Sequence, residues 1–324
     1  WTYKQPVGVV AAIVPWNWPF SVAMWKMAAA LATGCTIVVK PAQQTSLSML
    51  YFAQLCESVG LPPGVVNIVT GKGGTIGNYL ASHEGVDKVS FTGSTPVGRK
   101  VGEAAGAALS PVTLELGGKS PMIAFDDADP AAVAAATRWS VYFNAGQVCS
   151  AGSRLYAHAS IFDDVVSELS KVTSAMKIAP GLDPKCDMGP VISEFALGNI
   201  CDYIEQGKKE GAELVFGGKA LDRPGYFVEP TLFAANDNSL RIVQEEIFGP
   251  VLVAIKFESD EEAIQLANDN IYGLVGSVWT KDISRAIRYS SMLDVGTVWI
   301  SNHDIVDCNM PCGGFKQSGF GKDM

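Results

Sequence analysis

The chain has 324 residues, of which 48% are hydrophobic and 33 are glycine, and its formal net charge is −9. This length is enough for two domains with large cores, and the composition is that of an ordinary α/β protein. The acidic balance without any basic run argues against a nucleic-acid surface, and the sequence contains no uncharged apolar stretch of about 18 residues that would indicate a membrane span.

Cysteine and histidine usage indicates reduced thiols and gives no pattern for a metal site. The seven cysteines are scattered without a Cys-x-x-Cys pair, and only three histidines are present. An odd number of scattered cysteines is typical of a reducing compartment, so the sequence predicts a cytoplasmic protein with no bound metal. Because the chain starts at Trp1 and enters a strand pattern almost at once, we expect it to be part of a longer polypeptide.

In the first third of the chain, strand patterns alternate with helix patterns. Apolar runs rich in β-branched residues predict strands buried on both faces, and helical spacing between them predicts helices. The expected strands are 7–14, 36–40, 65–69, 88–91 and 112–116, and the expected helices are 21–33, 46–60, one opening at 71–77 and one over 92–109. This alternation predicts a parallel, doubly wound sheet, in which ligands bind beyond the carboxyl ends of the strands.

Several unusual residues follow these strands: Asn17, Lys40, Gly71, Gly93, Ser94 and Glu115. The spacing Gly71-x-Gly73-x-x-x-Gly77 is one residue too long for the dinucleotide fingerprint, and the loop that starts at Gly93 lacks the Lys-Ser/Thr pair of a phosphate loop. Each loop alone is equally compatible with a plain strand-to-helix turn. Both nevertheless place backbone N–H groups at a helix N-terminus, where an anion can bind, and Ser94 is a candidate helix cap.

The pattern restarts at Ser120, so we place the domain boundary near 117–119, with domains over residues 1–118 and 119–324. The expected strands of the second part are 121–125, 154–158, 213–216, 226–228, 251–257, 274–280 and 296–301, and the expected helices are 131–143, 161–178, 194–211, 261–268 and 283–292. A Gly-rich loop is expected over 311–321. The predicted fold class is therefore α/β for both domains.

Cys149 lies in a Gly-containing turn between an expected helix and an expected strand. Its small neighbours leave space for a reactant to approach the sulfur. The alternative is a buried cysteine packed as a small hydrophobe, which is the commonest fate of an unpaired thiol. The local sequence leaves both interpretations open.

Six motifs in order resemble the aldehyde dehydrogenase superfamily. They are Pro15-Trp-Asn-Trp-Pro19, Lys40-Pro-Ala, Phe91-Thr-Gly-Ser-Thr95, Leu114-Glu-Leu-Gly-Gly-Lys119, Gly146-Gln-Val-Cys149 and Glu245-Glu-Ile-Phe-Gly-Pro250. The resemblance covers essentially the whole chain. It implies a Rossmann-type cofactor domain over 1–118 and an α/β catalytic domain over 119–324. It also implies that a further N-terminal segment and a C-terminal oligomerisation strand complete a homodimer or homotetramer.

The resemblance implies oxidation of a small aldehyde to the carboxylic acid. Cys149 matches the family nucleophile, which forms a thiohemiacetal and then a thioester. Asn17 and the Cys149 backbone N–H match the oxyanion hole, and Glu115 matches the general base for thioester hydrolysis. From the local sequence alone, Glu115 is more simply a strand-end carboxylate that caps a turn or pairs with Lys119, and Asn17 is a turn residue between two prolines.

The resemblance also implies NAD or NADP as the cofactor. Lys40 matches the lysine that binds the adenosine ribose, and Trp16 and Ser94 match groups that line the adenosine and pyrophosphate path. Glu246 matches the carboxylate that binds the nicotinamide ribose, and Phe248 matches the aromatic beside it. Gly93 and Gly117 are further expected cofactor residues. Without the resemblance, the local sequence indicates only that Glu246 lies in an acidic turn and that Phe248 is a core aromatic.

Gln43 departs from the family pattern. Many NAD-preferring members carry a glutamate there, which binds both ribose hydroxyls and would repel a 2′-phosphate. A neutral amide would not repel it. We therefore expect NAD to be favoured and NADP to be tolerated.

By position, the resemblance implies a substrate tunnel formed by eight residues: Trp18, Val22, Trp25, Val148, Ser150, Asp304, Val306 and Cys312. Val306 and Cys312 stand where many members have phenylalanine, which predicts a wider mouth. Residues 302–311 look closest to the phenylacetaldehyde and related arylaldehyde or aminoaldehyde branch. Asp304 or Asp307 could meet a cationic amine tail, although a solvated loop carboxylate is the simpler interpretation. The predicted substrate is an apolar or aromatic aldehyde.

Two other functions stay open at this point. Cys149 could serve a non-redox esterase or acyltransferase, including one that transfers the acyl group to coenzyme A. A cysteine hydrolase needs a histidine partner, and neither His158 nor His303 has a recognisable context for one. A non-catalytic scaffold is the third possibility, and the presence of Cys149, Asn17 and Glu115 argues against it.

Overall fold

Two compact units make up the chain, and the computed structural model describes every residue from 1 to 324. The first unit comprises residues 1–116 together with 307–324, and the second comprises residues 117–306. The expected division near 117–119 thus lies close to the observed one. The C-terminal residues differ from the expectation for 119–324, because the strand Gly319–Phe320 pairs antiparallel with the strand Val112–Glu115 of the first unit.

The first unit is built around a six-stranded sheet. Its elements up to residue 116 are β1 (Val9–Ile13), α1 (Pro19–Ala32), β2 (Thr36–Lys40), α2 (Leu47–Ser58), β3 (Val66–Ile68), α3 (Asn78–Ser82), β4 (Lys88–Thr92), α4 (Thr95–Ala107) and β5 (Val112–Glu115). A single π-helical turn, 73–77, precedes α3 where the sequence predicted the opening of a helix. The five strands are parallel in the order β5-β4-β1-β2-β3, so the predicted α/β, Rossmann-type sheet is confirmed.

Both faces of this sheet are buried, as the continuous apolar runs predicted. Alternate residues of β1 point to opposite faces: Val10 and Ala12 join one apolar cluster with α1 and α2, whereas Ala11 and Ile13 join another with α3 and α4. The side chains in the middle of each strand are therefore committed to packing. Polar residues that could act on a ligand are left to the ends of the strands.

The second unit contains a seven-stranded sheet with one large core. Its elements are β6 (Pro121–Ala124), α5 (Pro130–Tyr142), β7 (Arg154–His158), α6 (Ala159–Ser174), α7 (Glu194–Lys209), β8 (Glu213–Phe216), β9 (Thr231–Ala235), α8 (Arg241–Gln244), β10 (Val251–Phe257), α9 (Asp260–Asn268), β11 (Tyr272–Gly273), β12 (Val275–Trp279), α10 (Ile283–Ser290) and β13 (Thr297–Ile300). The order is β13-β12-β6-β7-β10-β9-β8, parallel except for the β8–β9 pair. No helix of the structure is long and apolar enough to span a bilayer.

Three expectations about elements were wrong. Residues 226–228 do not form a strand, since only Val228 makes an isolated bridge, with Ala220. The strand β9 was not predicted, although it lies between β10 and β8 in the sheet. The Gly-rich segment 311–321 is not wholly a loop, because it contains the short strands β14 (Phe315–Lys316) and β15 (Gly319–Phe320).

A buried ion pair holds the C-terminal segment against α1. Lys26 is 5% exposed, and its Nζ lies 2.6 Å from Asp323 Oδ2 and 2.9 Å from Ser90 Oγ. A buried charge that loses its partner is costly, whereas replacing both members with apolar residues is often neutral. The pair therefore makes residues 307–324 sensitive to single changes at either position.

We expect Asp323→Ala to lower the free energy of unfolding by about 3 kcal/mol, because it leaves the Lys26 ammonium buried without its carboxylate. Urea unfolding followed by circular dichroism measures this. The matched control is the double variant Lys26→Met with Asp323→Leu, which should lose about 1 kcal/mol or less. An Asp323→Ala variant as stable as the wild type would show that the ion pair does not stabilise the folded state.

Candidate active site

The predicted polar residues of the first unit gather at the carboxyl edge of its sheet. Asn17 follows β1 in the loop that leads into α1, and Trp16 and Trp18 flank it. Lys40 is the last residue of β2, and Glu115 is the last residue of β5. Because these strands are parallel, their carboxyl ends lie along one edge, where ligands of doubly wound sheets bind.

Lys40 is buried at this edge, whereas Gln43 is exposed just beyond it. The Lys40 side chain is 4% exposed, and its Nζ is 3.9 Å from the position a Cβ would take on Gly73, in the loop after β3. Burial lowers the pKa of the Lys40 ammonium. Gln43 begins a short 3-10 turn after β2 and keeps its amide in solvent. A buried cation and an exposed amide thus lie within four residues of each other at the carboxyl end of β2.

The helix α4 begins without a side-chain cap. Ser94 occupies the N-cap position with extended backbone, but its side chain makes no capping hydrogen bond. Gly93 donates its N–H to the Glu115 carbonyl at 3.0 Å, and a Cβ on Gly93 would lie 2.5 Å from Cζ of Phe91. A glycine is therefore required there, and the helix N-terminus beside it favours negative charge.

Glu115 is a buried carboxylic acid with an unsatisfied oxygen. The residue is 8% exposed, and its Oε1 has no hydrogen-bond partner. A Cβ on Gly313 would come within 2.6 Å of that oxygen, so the C-terminal segment passes directly beside it. Burial, followed by the nearby Asp323 carboxylate, raises the pKa of Glu115 to about 8, although Lys26 and Lys322 oppose the shift. Such a group can take up or release a proton near neutral pH.

Four residues of the predicted substrate tunnel belong to the first unit. Val22 is buried in the apolar cluster between the sheet and α1, and Trp18 and Trp25 pack against this cluster while staying partly exposed. Cys312 is half-buried, and its N–H donates to the Asp323 carbonyl at 2.9 Å. Their contact with a substrate stays a prediction.

In the second unit, Cys149 lies on a loop that packs closely against other backbone segments. After α5 the chain turns through Asn144 and Ala145 at φ of 49° and 54° and through Gly146 at φ of 72°. A Cβ on Gly146 would lie 2.1 Å from the Gly249 carbonyl oxygen, and one on Gly118 would lie 2.5 Å from the Cys149 carbonyl oxygen. The close packing of this loop thus requires glycine at positions 118 and 146. Cys149 itself is half-buried and outside any disulfide.

Asp304 is hydrogen-bonded within the protein. Its Oδ1 accepts the Ser150 hydroxyl at 2.5 Å. The structure therefore brings these two predicted substrate residues together beside Cys149. Val148 is buried, whereas Val306 is 52% exposed.

Glu246 is held against the glycines that follow β5 in sequence. Its Oε1 accepts the Gly118 N–H at 3.2 Å, and a Cβ on Gly117 would lie 2.2 Å from Oε2. Burial raises the pKa of Glu246 to about 7. Phe248 follows at φ of 56°, in the left-handed region. Gly117 is thus needed to admit the carboxylate, and the binding of a cofactor by Gly117, Glu246 and Phe248 stays a prediction.

The sequence analysis named Lys119 only as a possible ion-pair partner of Glu115. It is 2% exposed, and its Nζ has no hydrogen-bond partner. Burial, followed by the Arg154 guanidinium, lowers the pKa of Lys119 to about 7, while Glu246 is the largest opposing influence. Lys119 and Glu246 line the same small cavity, with about 10 Å³ of space, which is close to the volume a single water needs.

Sequence reasoning also missed His303, which is 1% exposed and hydrogen-bonded to the residue after Cys149. The local sequence contained one usable signal, namely that this histidine adjoins Asp304 in a loop assigned to the substrate. Its burial and its partners could not be read from sequence, because its ring bonds residues that lie 26 and 153 positions earlier in the chain.

Comparison with known proteins identifies what this arrangement is similar to. All of residues 1–324 match the model of the aldehyde dehydrogenase family. Phenylacetaldehyde dehydrogenase of Pseudomonas fluorescens is 47% identical over 99% of this chain and 64% of its own length. Chloroplastic betaine aldehyde dehydrogenase of Beta vulgaris is 46% identical over 99% of this chain and 65% of its own length.

The structural similarity is equally close. An aldehyde dehydrogenase from Bacillus cereus, solved as an NAD+ complex, superposes with a TM-score of 0.97 at 45% identity, covering 99% of this chain and 65% of that one. The chain thus spans 62–66% of the length of the curated relatives it matches.

Proposed function

Since this chain belongs to the aldehyde dehydrogenase family, we propose that it oxidises an aldehyde to the carboxylic acid, with NAD or NADP as the electron acceptor. The observation that carries the proposal is the Glu115 carboxyl, which is buried, unsatisfied at Oε1 and raised in pKa to about 8. A structural carboxylate is normally paired, whereas a general base needs a pKa near the working pH and an open acceptor.

Each residue has a defined step. The Cys149 thiolate adds to the aldehyde carbon, and the carbonyl oxygen becomes an alkoxide. Asn17 and the Cys149 backbone N–H donate hydrogen bonds to that alkoxide. The oxidised nicotinamide, when bound, supplies the acceptor for the electrons and hydrogen that leave the aldehyde carbon. Glu115 then accepts a proton from water as the water attacks the resulting thioester, which releases the acid and the thiolate.

The residues present fit a dinucleotide. The buried Lys40 ammonium and the uncapped start of α4, with Gly93 and Ser94, offer positive charge and N–H groups to hydroxyl and phosphate oxygens. In the second unit, Glu246 offers carboxylate oxygens for the hydroxyls of the nicotinamide ribose. The NAD+ complex of the Bacillus cereus relative supports this assignment. Residues 1–116 would thus bind the cofactor, with Trp16 beside the adenosine.

The substrate proposed is a neutral apolar or aromatic aldehyde. Asp304 is already bonded to the Ser150 hydroxyl, which argues against its use for a cationic amine tail. Small side chains at Val306 and Cys312 would leave the mouth of the tunnel wide. The 47% identity to a phenylacetaldehyde dehydrogenase supports this class.

A non-redox cysteine hydrolase is less well supported. The two histidines of the second unit are both engaged elsewhere. His303 bonds the Ser150 carbonyl and Ser277, and His158 uses its Nδ1 at the start of α6, about 13 Å along β7 from Arg154. His303 therefore has no ring nitrogen left to act as the base of a thiol. Transfer of the acyl group to coenzyme A is disfavoured by the presence of Glu115, which suits attack by water.

Two further predictions complete the proposal. We propose a cytoplasmic location, because an odd number of scattered cysteines is typical of a reducing compartment. We also propose that the full-length protein is a homodimer or homotetramer, as the family resemblance implies.

Replacing the nucleophile tests the activity directly. Cys149→Ala should lower kcat for reduced-cofactor formation at least about 1,000-fold, because no thiohemiacetal can form, while Cys308→Ala, which alters an exposed thiol, should leave kcat unchanged. Absorbance at 340 nm with a panel of aromatic, aliphatic and amino aldehydes measures both variants and ranks the substrates. Full activity of Cys149→Ala would eliminate the covalent mechanism.

The raised pKa of Glu115 predicts a pH dependence. The base must be ionised, so kcat should rise as pH increases towards about 8 and level off above it. Glu115→Gln should abolish steady-state turnover yet keep a burst of one equivalent of reduced cofactor, because only hydrolysis is blocked. Stopped-flow traces from pH 6 to 9 distinguish the steps, with Glu103→Gln on the exposed face of α4 as the control. A pH-independent kcat in the wild type would contradict this role.

Gln43 predicts a modest preference between cofactors. The ratio of kcat/KM for NAD over NADP should be below about 100 in the wild type, and Gln43→Glu should raise it at least tenfold, or about 1.4 kcal/mol, through repulsion of the 2′-phosphate. The exposed neighbour offers a matched control, because Gln44→Glu adds the same charge one residue away. A several-hundred-fold NAD preference in the wild type would refute the tolerance of NADP.

A further inference from the structure

A buried histidine that the proposed chemistry does not use bonds the chain next to the nucleophile. His303 is 1% exposed, and its Nε2 lies 2.9 Å from the Ser150 carbonyl oxygen. Its Nδ1 lies 2.9 Å from Ser277 Oγ, on β12. Both ring nitrogens are therefore engaged by groups of the second unit.

The partners define the tautomer. A carbonyl oxygen can only accept, so His303 Nε2 must carry the hydrogen. Burial lowers the pKa of His303, which keeps the ring neutral, and its Nδ1 then accepts the Ser277 hydroxyl. Ser277 Oγ in turn accepts the Trp279 indole N–H at 3.2 Å. The hydrogen bonds run in one direction, from Trp279 through Ser277 and His303 to the Ser150 carbonyl.

The residue after His303 holds the other polar group of Ser150. Asp304 Oδ1 accepts the Ser150 hydroxyl at 2.5 Å, and Asp304 has a φ of 63°. Two consecutive loop residues thus bind the main chain and the side chain of the residue that follows Cys149. Asp304 is also the charged group that opposes the downward shift of the His303 pKa.

The other side of the Cys149 loop is fixed independently. The Ala151 N–H donates to the Val148 carbonyl at 3.2 Å, which closes a turn around Cys149. The Cys149 carbonyl packs against Gly118, where a Cβ would lie only 2.5 Å away. The Ser150 carbonyl is a further backbone group of this turn that is held, and His303 is the side chain that holds it.

We propose that His303 is a positioning residue for the reaction of Cys149, whose Nε2–H fixes the Ser150 carbonyl and thereby the orientation of the Cys149 sulfur and backbone N–H. The inference rests on the proposed function and names a residue for the same site. Without this bond the 150–151 peptide is held only through the Ala151 N–H bond to the Val148 carbonyl, so the turn that carries the oxyanion donor is held less firmly. Misplacement of reacting groups by about 1 Å can cost about 100-fold in rate. The loss should appear in kcat rather than in cofactor binding.

Two polar variants separate this role from simple core packing. His303→Gln carries an amide nitrogen at the same bond distance from Cβ as Nε2, so it can still donate to the Ser150 carbonyl. His303→Asn carries its amide one bond earlier, at the Nδ1 position, and cannot reach it. We expect His303→Asn to lower kcat about 30-fold with the KM for NAD within about twofold, and His303→Gln to stay within about threefold of the wild type. The control is His83→Asn, a half-buried histidine of the first unit, which should leave kcat unchanged.

A second readout does not depend on aldehyde oxidation. The rate of alkylation of Cys149 by iodoacetamide, followed by mass spectrometry of its peptide, should change at least fivefold in His303→Asn and return towards the wild-type rate in His303→Gln. If the wild type does not oxidise aldehydes but the variants show these alkylation rates, the proposed function is refuted and the positioning role of His303 is not. Equal impairment of both variants, or an Asn variant that behaves as the wild type, would overturn the positioning role.

A measurement on the wild type covers the case in which neither variant folds. Nitrogen-15 NMR of histidine-labelled protein gives three ring systems, which His83→Asn and His158→Asn assign by elimination. His303 should be the Nε2–H tautomer and should stay neutral between pH 7 and 9, because burial lowers its pKa. An Nδ1–H tautomer, or a ring that titrates in this range, would overturn the inference.

Discussion

Burial of parallel strands on both faces is the constraint on which the first unit depends. Every mid-strand side chain of β1 enters one of two apolar clusters, so an ionisable group there would have no water and no partner. The strand ends escape this restriction because the backbone turns there into loops. Lys40 and Glu115 are the terminal residues of β2 and β5 for this reason. The same restriction that builds the core thus decides where chemistry is possible.

Both units contain buried ionisable side chains, and these side chains differ in how completely they are hydrogen-bonded. Lys26 and Asp323 form a closed pair, as expected of a structural contact. Arg154 is 1% exposed and donates to the carbonyl oxygens of Lys119 and Ala267, so its charge is spread over backbone dipoles. Glu115 and Lys119 instead keep one atom without a partner. Incomplete pairing is costly in a core, and it is tolerated where a ligand or water completes the set.

Much of the fold could be predicted from the sequence, because strand and helix patterns alternate in the first unit and each pattern determines one element. The same local logic failed where pairing is remote. The run from Thr231 to Ala235 contains two alanines and follows Pro230, so it has little intrinsic strand character, and only its neighbours β8 and β10 make it a strand. Candidate residues at strand ends could be named in advance through the family motifs. The bond between His303 and Ser150 could not, since it spans 153 residues and no local pattern encodes it.

The return of residues 307–324 to the first unit has a consequence for synthesis. Gly319 pairs with Glu115 across 204 residues (319 − 115). At roughly 5–20 residues per second, a ribosome takes about 10–40 s to make the intervening chain. During that interval the outer edge of β5 has no partner strand, and the nascent first unit exposes it. Completion of this sheet is therefore delayed until residues 319–320 have been made, and the outer edge of β5 is the stretch that a chaperone would need to shield in that interval.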